Sequence, residues 1–507
     1  MNKTATNPNS FPTVSPNAVP TANPLGTESV IKLTVRYAVP SVISLVVNSL
    51  YNMVDQIFIG QGVGYLGNAA TNVIMPMTLI LMAIAMMFGN GASSFMSLQL
   101  GKKEPVQAAH GVGNMITLTI GAGIFFLVLF EIFLEPLCWL FGARGEVMSY
   151  AMDYGRIIVL GFPVFVIGVG FGNIIRADGR PKASMAGMLI GCVTNIILDP
   201  LFIFVFHWGV KGAAWATIIG QLLNAAYYAF CLFRLKTVHP VKHDFIPDKS
   251  ITGKIISLGM SSFFTQIAGT VVIALQNNLL VKYGADSVYG ADIPMAALGI
   301  TMKTSQLITS IALGIVSGVQ PILGYNYGSR QYARVKQTFK LSLISCTAIM
   351  IAALFIFQLF PETIINLFGQ ESELYMEFAV KCFRIYLMAC FMIPSSMVIG
   401  IFYQAIGKPM PSMILSLSRQ IIFLIPAMLV LGALFGVEGI LWAGPLSDTL
   451  SGVMSLAAIS ISWKSIFAEH KTASKSGGFR MHAMSQSCVH GVFKKYPCAD
   501  KIAKQQQ

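Results

Sequence analysis

The stretch "GVKGAAWA" at residues 209–216 returns as "GVEGILWA" at residues 436–443. The offset is about 227, and two more blocks return near it. "GASSFMSLQLG" (91–101) aligns with "GVQPILGYNYG" (318–328), and "GRPK" (179–182) aligns one residue out of phase with "GKPM" (407–410). Between these blocks lie apolar windows of about 20 residues or more, each long enough to cross a bilayer. They fall at about 37–60, 72–98, 112–134, 155–175, 183–206 and 210–233, then at about 255–281, 295–323, 338–360, 378–403, 411–432 and 437–460. All three repeat blocks sit at equivalent window boundaries. Six windows is an even number, so both halves cross in the same sense. The repeat is therefore parallel, about an axis along the membrane normal. The expected fold is an all-α polytopic membrane protein of twelve transmembrane helices, in two six-helix lobes related by a parallel pseudo-two-fold repeat. Two similar bundles facing one another leave a cleft between them, as alternating access requires.

Composition agrees with this class. Of 507 residues, 55% are apolar and only 11% are charged, about half the charge of a soluble domain. The mean hydropathy of +0.68 excludes a water-soluble surface. A net charge of +13 would suggest nucleic acid in a soluble protein; here it follows topology, and no nucleic-acid partner is expected. With the N-terminus inside, 26 of the 34 Lys and Arg fall in cytoplasmic segments, among them "GKKE", "RADGRPK", "RLKTVHPVKHDFIPDKS" and "SRQYARVK". The outer loops and outer helix ends hold Arg144, Arg156, Lys211, Lys282, Lys381 and Arg384, and Lys303 and Arg419 lie inside spans. The asymmetry places both termini in the cytoplasm; a monomer in a bacterial cytoplasmic (inner) membrane is expected.

The expected division is a disordered cytoplasmic tail (1–30), an N-lobe (31–235), a cytoplasmic linker (236–254), a C-lobe (255–463) and a basic cytoplasmic tail (464–507). Residues 1–28 are rich in Asn, Pro, Ser and Thr, with no apolar segment of a cleavable signal. Cys138, Cys192, Cys231, Cys346, Cys382 and Cys390 lie in or beside apolar runs and read as small packing residues. In the tail, Cys488, His490 and Cys498 lack zinc spacing.

Polar groups inside the spans carry the chemistry. In the first span Asn48, Tyr51, Asn52 and Asp55 are spaced three and four apart and share one face. Facing lipid would be costly, so that face turns to the bundle interior. In the fifth span Gly187, Gly191, Asn195 and Asp199 recur every four residues. The glycines allow close helix approach, and Pro200 deprives the Ile196 carbonyl of its helical donor. The sixth span adds Thr217, Gln221 and Asn224. Asp55, Asp199 and Thr217 all fall in the outer half of the first bundle. Two carboxylates, an amide, a hydroxyl and a freed carbonyl at one depth form a hard-oxygen site for Na+ or for a proton. Helix-to-helix hydrogen bonding is the bland reading of a lone Asn or Thr. It explains less well why two acids at matched depth are kept away from water. An aspartyl-protease dyad is the enzymatic alternative, but no Gly-x-Gly-Asp stretch surrounds either residue. In the second half Gln276, Asn277, Lys303, Gln306, Arg419 and Asp448 are the polar groups. There Asp448 is one candidate partner for Lys303 and Arg419, in a structural or a functional role. Met and Phe lining the cleft would offer an adaptable surface to flat apolar cations.

The blocks "LYNMVDQIFIGQGVG", "GNIIRADGRPKASM", "NIILDPLFIF", "GVKGAAWAT", "GVQPILGYNYG" and "LSRQIIFLIP" together resemble the multidrug and toxic compound extrusion (MATE) transporters over about residues 30–465. "MK" at 302–303 and "QP" before "GYNYG" are most like the bacterial MepA-like branch. The resemblance implies cation-coupled export (Na+ or H+) of amphipathic, mostly cationic organic compounds through two six-helix lobes, with no cofactor beyond the coupling ion and no enzymatic reaction. It places an N-lobe cation site on Asp55, Asn195, Asp199 and Thr217, and a further polar position on Asn173. Relatives that use acids in the seventh and tenth helices find no counterpart here: Asp286 lies beyond the end of one, and Glu377 at the outer margin of the other. Two alternatives stand beside this reading. One is a flippase for a lipid-linked precursor, held by cations such as Lys303 and Arg419. The other is a non-transporting scaffold or receptor, which leaves the repeat and the buried acids unexplained.

Overall fold

Charged, glycine- and proline-bearing breaks divide the chain into helices whose ends are fixed by local chemistry. The computed structural model describes residues 23–290, 292–366 and 372–491, the part beyond 468 as backbone alone. In the first half α1 is Val30–Gly62, α2 is Tyr65–Gly101 and α3 is Pro105–Ile132. The fourth span, α4, is Glu146–Leu160 and Phe162–Ala177, bent by 51° at their junction. Then come α5, Pro181–Pro200 with a π-helical continuation Leu201–Val205, and α6, Gly209–Leu232. In the second half α7 is Lys249–Ala285, α8 is Asp292–Gly328 and α9 is Tyr332–Leu359. The tenth span, α10, joins Glu373–Tyr386 to Ile393–Ala405. The eleventh, α11, runs from Pro409–Leu417 through a π-helical Ser418–Leu424 to a break at Gly436 (φ 61), and α12 follows inside Ile425–Gly491.

Nine of these helices are long and apolar enough to cross a membrane alone, and counting the bent α4 as one span makes ten. The break at Gly436 divides one of the nine into two spans. The remaining helix, α6, is long enough but falls short in apolarity, because it carries the polar stripe of Thr217, Gln221 and Asn224. The chain is thus a multi-pass membrane protein whose described residues supply twelve span-length helices, as the windows predict. Starts are chemically marked. The Ser29 hydroxyl accepts from the Lys32 N–H (3.3 Å) ahead of α1, and the Asp248 carboxylate accepts from the Ile251 N–H (2.9 Å) at α7. Pro105, Pro181 and Pro409 begin α3, α5 and α11, where a missing N–H costs nothing.

The repeat extends to fine geometry. Lys103 (φ 64) and Arg330 (φ 60) both adopt the left-handed backbone region, about 227 residues apart. Ser184 donates to the Gly172 carbonyl (2.9 Å), and Ser412 donates to the Gly400 carbonyl (2.8 Å). Asp153 pairs with Lys211 (3.2 Å) in one lobe; at equivalent places in the other, Lys381 pairs with Glu438 with the charges exchanged.

The lobes meet through two equivalent helix pairs, α1 with α8 and α2 with α7. Close approach runs from the end carrying the N-terminal segment and the linker, here called the linker end, into the middle of these pairs. A Cβ on Gly101 would lie 2.1 Å from the Tyr325 carbonyl oxygen, and one on Gly328 would lie 2.3 Å from that of Leu98. Asn90 donates to the Ser262 hydroxyl (3.0 Å) and Gln320 to that of Ser94 (2.8 Å). The farthest tie from the linker end is between the Ser49 and Ser310 hydroxyls (2.9 Å). Beyond it, toward Gly62 and Ala285, no hydrogen bond or ion pair joins the lobes among the described residues.

One boundary is corrected. Residues 24–28 are folded, although a disordered tail is expected as far as residue 30. Pro24–Thr27 is a short helix with Leu25 buried. Asn326 and Arg334 donate to the Leu25 carbonyl (3.0 and 3.1 Å), and Arg334 donates to that of Glu28 (2.6 Å). Helical backbone runs on to Gly491, into the expected C-terminal tail. The side chains of Cys488, His490 and Cys498 lie outside the described residues. The six cysteines read as packing residues are all buried and free.

Candidate cation site

Three spans deliver the expected ligands to one place. Asp55 comes from the half of α1 far from the linker end, Asn195 and Asp199 from successive turns of α5, and Thr217 from α6. Asp199 is 0% exposed, Asn195 2% and Asp55 8%. The Asn195 amide spans two partners: in the orientation that satisfies both, its nitrogen donates to Asp199 Oδ2 (2.6 Å), and its oxygen accepts from the Thr217 hydroxyl (3.2 Å) and backbone N–H (3.1 Å). The Asp55 and Asp199 carboxyl groups lie within electrostatic reach of one another, across the α1–α5 contact. Immediately after Pro200 the backbone passes into the π-helical Leu201–Val205, the local disruption a proline imposes.

The pair is incompletely satisfied. Gln56 donates to Asp55 Oδ2 (3.2 Å), and Thr71 of α2 donates in turn to the Gln56 oxygen (3.3 Å). Asp55 Oδ1 is buried with no hydrogen-bond partner among the described residues. No Lys, Arg or His there pairs with either aspartate. Tyr51 and the buried Tyr154 of α4 stand within the electrostatic reach of both carboxylates. Two buried acids with no basic partner are costly in an apolar setting. A bound cation or proton would supply the missing charge.

Other polar candidates lie elsewhere. Asn52 donates to the Asn48 carbonyl (2.7 Å), one turn back along α1. Asn224 donates to the Gly187 carbonyl (2.8 Å), and Tyr228 to that of Ser184 (2.5 Å), so this face of α6 holds α5. Gln221 is half-buried and makes no hydrogen bond among the described residues. Asn173 lies near the linker end of α4, donating to the Val169 carbonyl (3.3 Å) and packed against Gly89. It is not brought to the carboxylates, because the length of α4 separates it from Tyr154. Gln56, Thr71 and Tyr154 join the site without any mark in the sequence stripe. Adjacency to Asp55 is a signal for Gln56; nothing comparable marks the other two.

In the C-lobe, Arg419 Nε sits 2.6 Å from Asp448 Oδ1, and the Ser447 hydroxyl donates to the Arg419 carbonyl. Lys303 is exposed and has no ion pair or hydrogen bond among the described residues. Asp448 is therefore the partner of Arg419, and Lys303 stands apart.

The fold of two facing helical bundles has known counterparts. The MatE family model matches residues 40–201 and 279–429. The chain belongs to the MATE family. This is a family of membrane transporters, not of enzymes. The chain is 25% identical over 434 residues to the multidrug export protein MepA of Staphylococcus haemolyticus, covering 84% of this chain and 93% of that one. Among solved structures it superimposes on the MATE multidrug transporter DinF-BH in complex with rhodamine 6G (TM-score 0.80, 32% identity, 87% of this chain and 98% of that one). An outward-facing multidrug resistance MATE transporter gives a TM-score of 0.81 at 22% identity, over 86% and 96% of the two chains. These matches extend the MATE assignment across both lobes.

Proposed function

We propose that this MATE transporter is a cation-coupled antiporter that exports amphipathic, mostly cationic organic compounds, with Na+ or H+ as the coupling ion. The observation that carries the reading is the buried Asp55–Asp199 pair, in which Asp55 Oδ1 has no hydrogen-bond partner and no basic side chain balances the charge among the described residues. Exporters among the relatives, including one solved in complex with rhodamine 6G, support the substrate class. The basic linker end is cytoplasmic by the positive-inside rule. The lobes, joined among the described residues toward that end, would then hold the cleft open to the outside.

The mechanism follows from where the pair sits. A cation entering between α1 and α5 engages the orphaned oxygen and draws the two helices together. The Asn195 amide, already held by Thr217, transmits that movement to α6. Drug affinity falls because α1 borders the cleft. Linkage makes the coupling reciprocal: bound drug disfavours the cation by the same factor, typically about 5–150-fold. The flippase reading needs Lys303 and Arg419 together as an anion clamp. It loses support because Arg419 is already paired with Asp448.

The test is dye efflux from vesicles with Na+ and pH gradients imposed separately. Efflux should follow one gradient, and Asp55→Asn and Asp199→Asn should each abolish it while the protein remains inserted. Wild-type efflux by both variants would remove the acid pair from the mechanism.

A further inference from the structure

A second cluster of ligating side chains stands outside the membrane-spanning core, at the linker end. His110 lies in the second turn of α3. His243 and Asp244 lie in the short 3-10 turn Lys242–Phe245 of the linker. One ligand atom from each of the three falls within 4.8 Å of the others. We propose that His110, His243 and Asp244 bind a divalent transition-metal ion of the zinc type, fastening the linker to α3.

The carboxylate is the firmest part of the argument. Asp244 is 3% exposed. Its Oδ2 accepts from the Val241 N–H (2.8 Å), which fixes its rotamer. Its Oδ1 is buried and faces His110 Nε2 at 2.6 Å. The two atoms pair directly in the ion-free protein, and a metal ion entering between them would replace that contact and set them apart at ligand spacing. The His243 ring centroid lies 5.7 Å from that of His110. Two imidazoles and a carboxylate form a donor set that zinc accepts, with a fourth position left for water. Imidazole nitrogen selects transition metals over Mg2+ and Ca2+, which prefer oxygen.

The surroundings hold the ligands in place. Asn114, one turn after His110 on α3, donates to the Asp244 carbonyl (3.1 Å) and accepts from the Asp248 N–H (2.7 Å). The turn is thus seated on α3 before any ion arrives. His243 is exposed, so it can rotate the short distance that coordination requires, and water reaches the site. A bound ion would bridge residues far apart in sequence and close the linker down on the N-lobe. This inference does not depend on the transport reading.

The full chain, stripped with a chelator in detergent, should be titrated with Co2+ by absorbance and with Zn2+ against a chromogenic chelator. One ion per chain is expected, with d–d bands of a nitrogen–oxygen site and no thiolate charge-transfer band. His243→Ala, a change at an exposed position, should weaken binding at least tenfold without altering the thermal unfolding of the ion-free protein; His110→Ala should do the same to binding. Trypsin cleavage after Lys236 and Lys242 should slow with Zn2+ in the wild type and not in His243→Ala. Equal binding by the wild type and His243→Ala, no saturable binding, or a thiolate band assigning the ion to cysteines would each overturn the site.

Discussion

A single methyl group at the lobe interface should bias the transport cycle. A Cβ on Gly259 of α7 would lie 1.8 Å from the Met87 carbonyl oxygen of α2. The obstacle is backbone, so it cannot rotate aside. Reaching an ordinary contact of 3.4 Å requires the two helices to part by about 1.6 Å. Overpacking of this kind costs about 1–3 kcal/mol. The cost falls on the state in which the linker ends are pressed together, because rocking the lobes apart relieves it. At about 1.4 kcal/mol per factor of ten, Gly259→Ala should lower the population of that state about 5–150-fold relative to the alternative. Gly253, on the same helix, has nothing within 4 Å of its Cβ position, so Gly253→Ala is the matched control. Ser94→Cys supplies the readout, since Ser94 lies between Met87 and the linker end of α2, is buried, and accepts from Gln320. Its labelling by an impermeant thiol reagent from the linker side should quicken in Gly259→Ala and remain unchanged in Gly253→Ala. Dye efflux should slow in parallel. Equal labelling rates in the two glycine variants would mean that the α2–α7 contact does not open during transport.

Three further perturbations have definite outcomes. Arg419→Gln leaves Asp448 buried without its partner and should cost about 3–5 kcal/mol, read as a lower unfolding temperature in detergent; Arg419→Met with Asp448→Leu should recover most of it. Lys303→Gln should leave that temperature unchanged, because the side chain is exposed and holds nothing among the described residues; a shift of several degrees would reveal a missed partner. Asp178 accepts from the N–H groups of Lys236 and Thr237 and from the Thr237 hydroxyl (2.7–3.0 Å), so Asp178→Ala should cost about 3 kcal/mol and speed proteolysis of the linker.

What is legible in the sequence follows from the cost of polarity in a membrane. Spans show as apolar windows because each must exclude water from the backbone along its whole length. Asp55 and Asp199 stand out because an acid inside a window is rarely kept without use. Asn224 looks like Asn195 on paper, each on a polar stripe three or four residues from a partner. Only packing separates them: the Asn224 nitrogen finds the Gly187 carbonyl, whereas that of Asn195 finds a carboxylate. Tyr154 carries no comparable mark, because a tyrosine in a membrane helix is ordinary and its neighbours come from α1 and α5. The folding of Pro24–Thr27 depends on Asn326 and Arg334, some 300 residues away, which no local pattern could reveal. For Arg419 the need for a partner is legible, while the choice between two cations for one acid is decided by geometry.

The two lobes share a fold and divide the electrical labour. Each buries ionisable side chains, and each has a π-helical stretch, in α5 and in α11. In the C-lobe the acid carries its own counter-charge, since Arg419 meets Asp448 at 2.6 Å. A cation arriving there would have to displace a guanidinium, which itself could not leave the chain. In the N-lobe two acids meet with no basic group among the described residues. In the cycle proposed above, that pair is neutralised only by a positive charge from solution, which it can release again. On the proposed mechanism a gradient would act on the N-lobe and not on the C-lobe, even though the repeat makes their backbones nearly equivalent. The asymmetry predicts that placing a basic residue beside the pair, as in Thr217→Lys, should mimic permanent loading. Such a variant should insert and fold, bind dye weakly, and lose all dependence of dye affinity on Na+ and pH. If dye affinity still followed either ion, the responding charge would lie outside the Asp55–Asp199 pair.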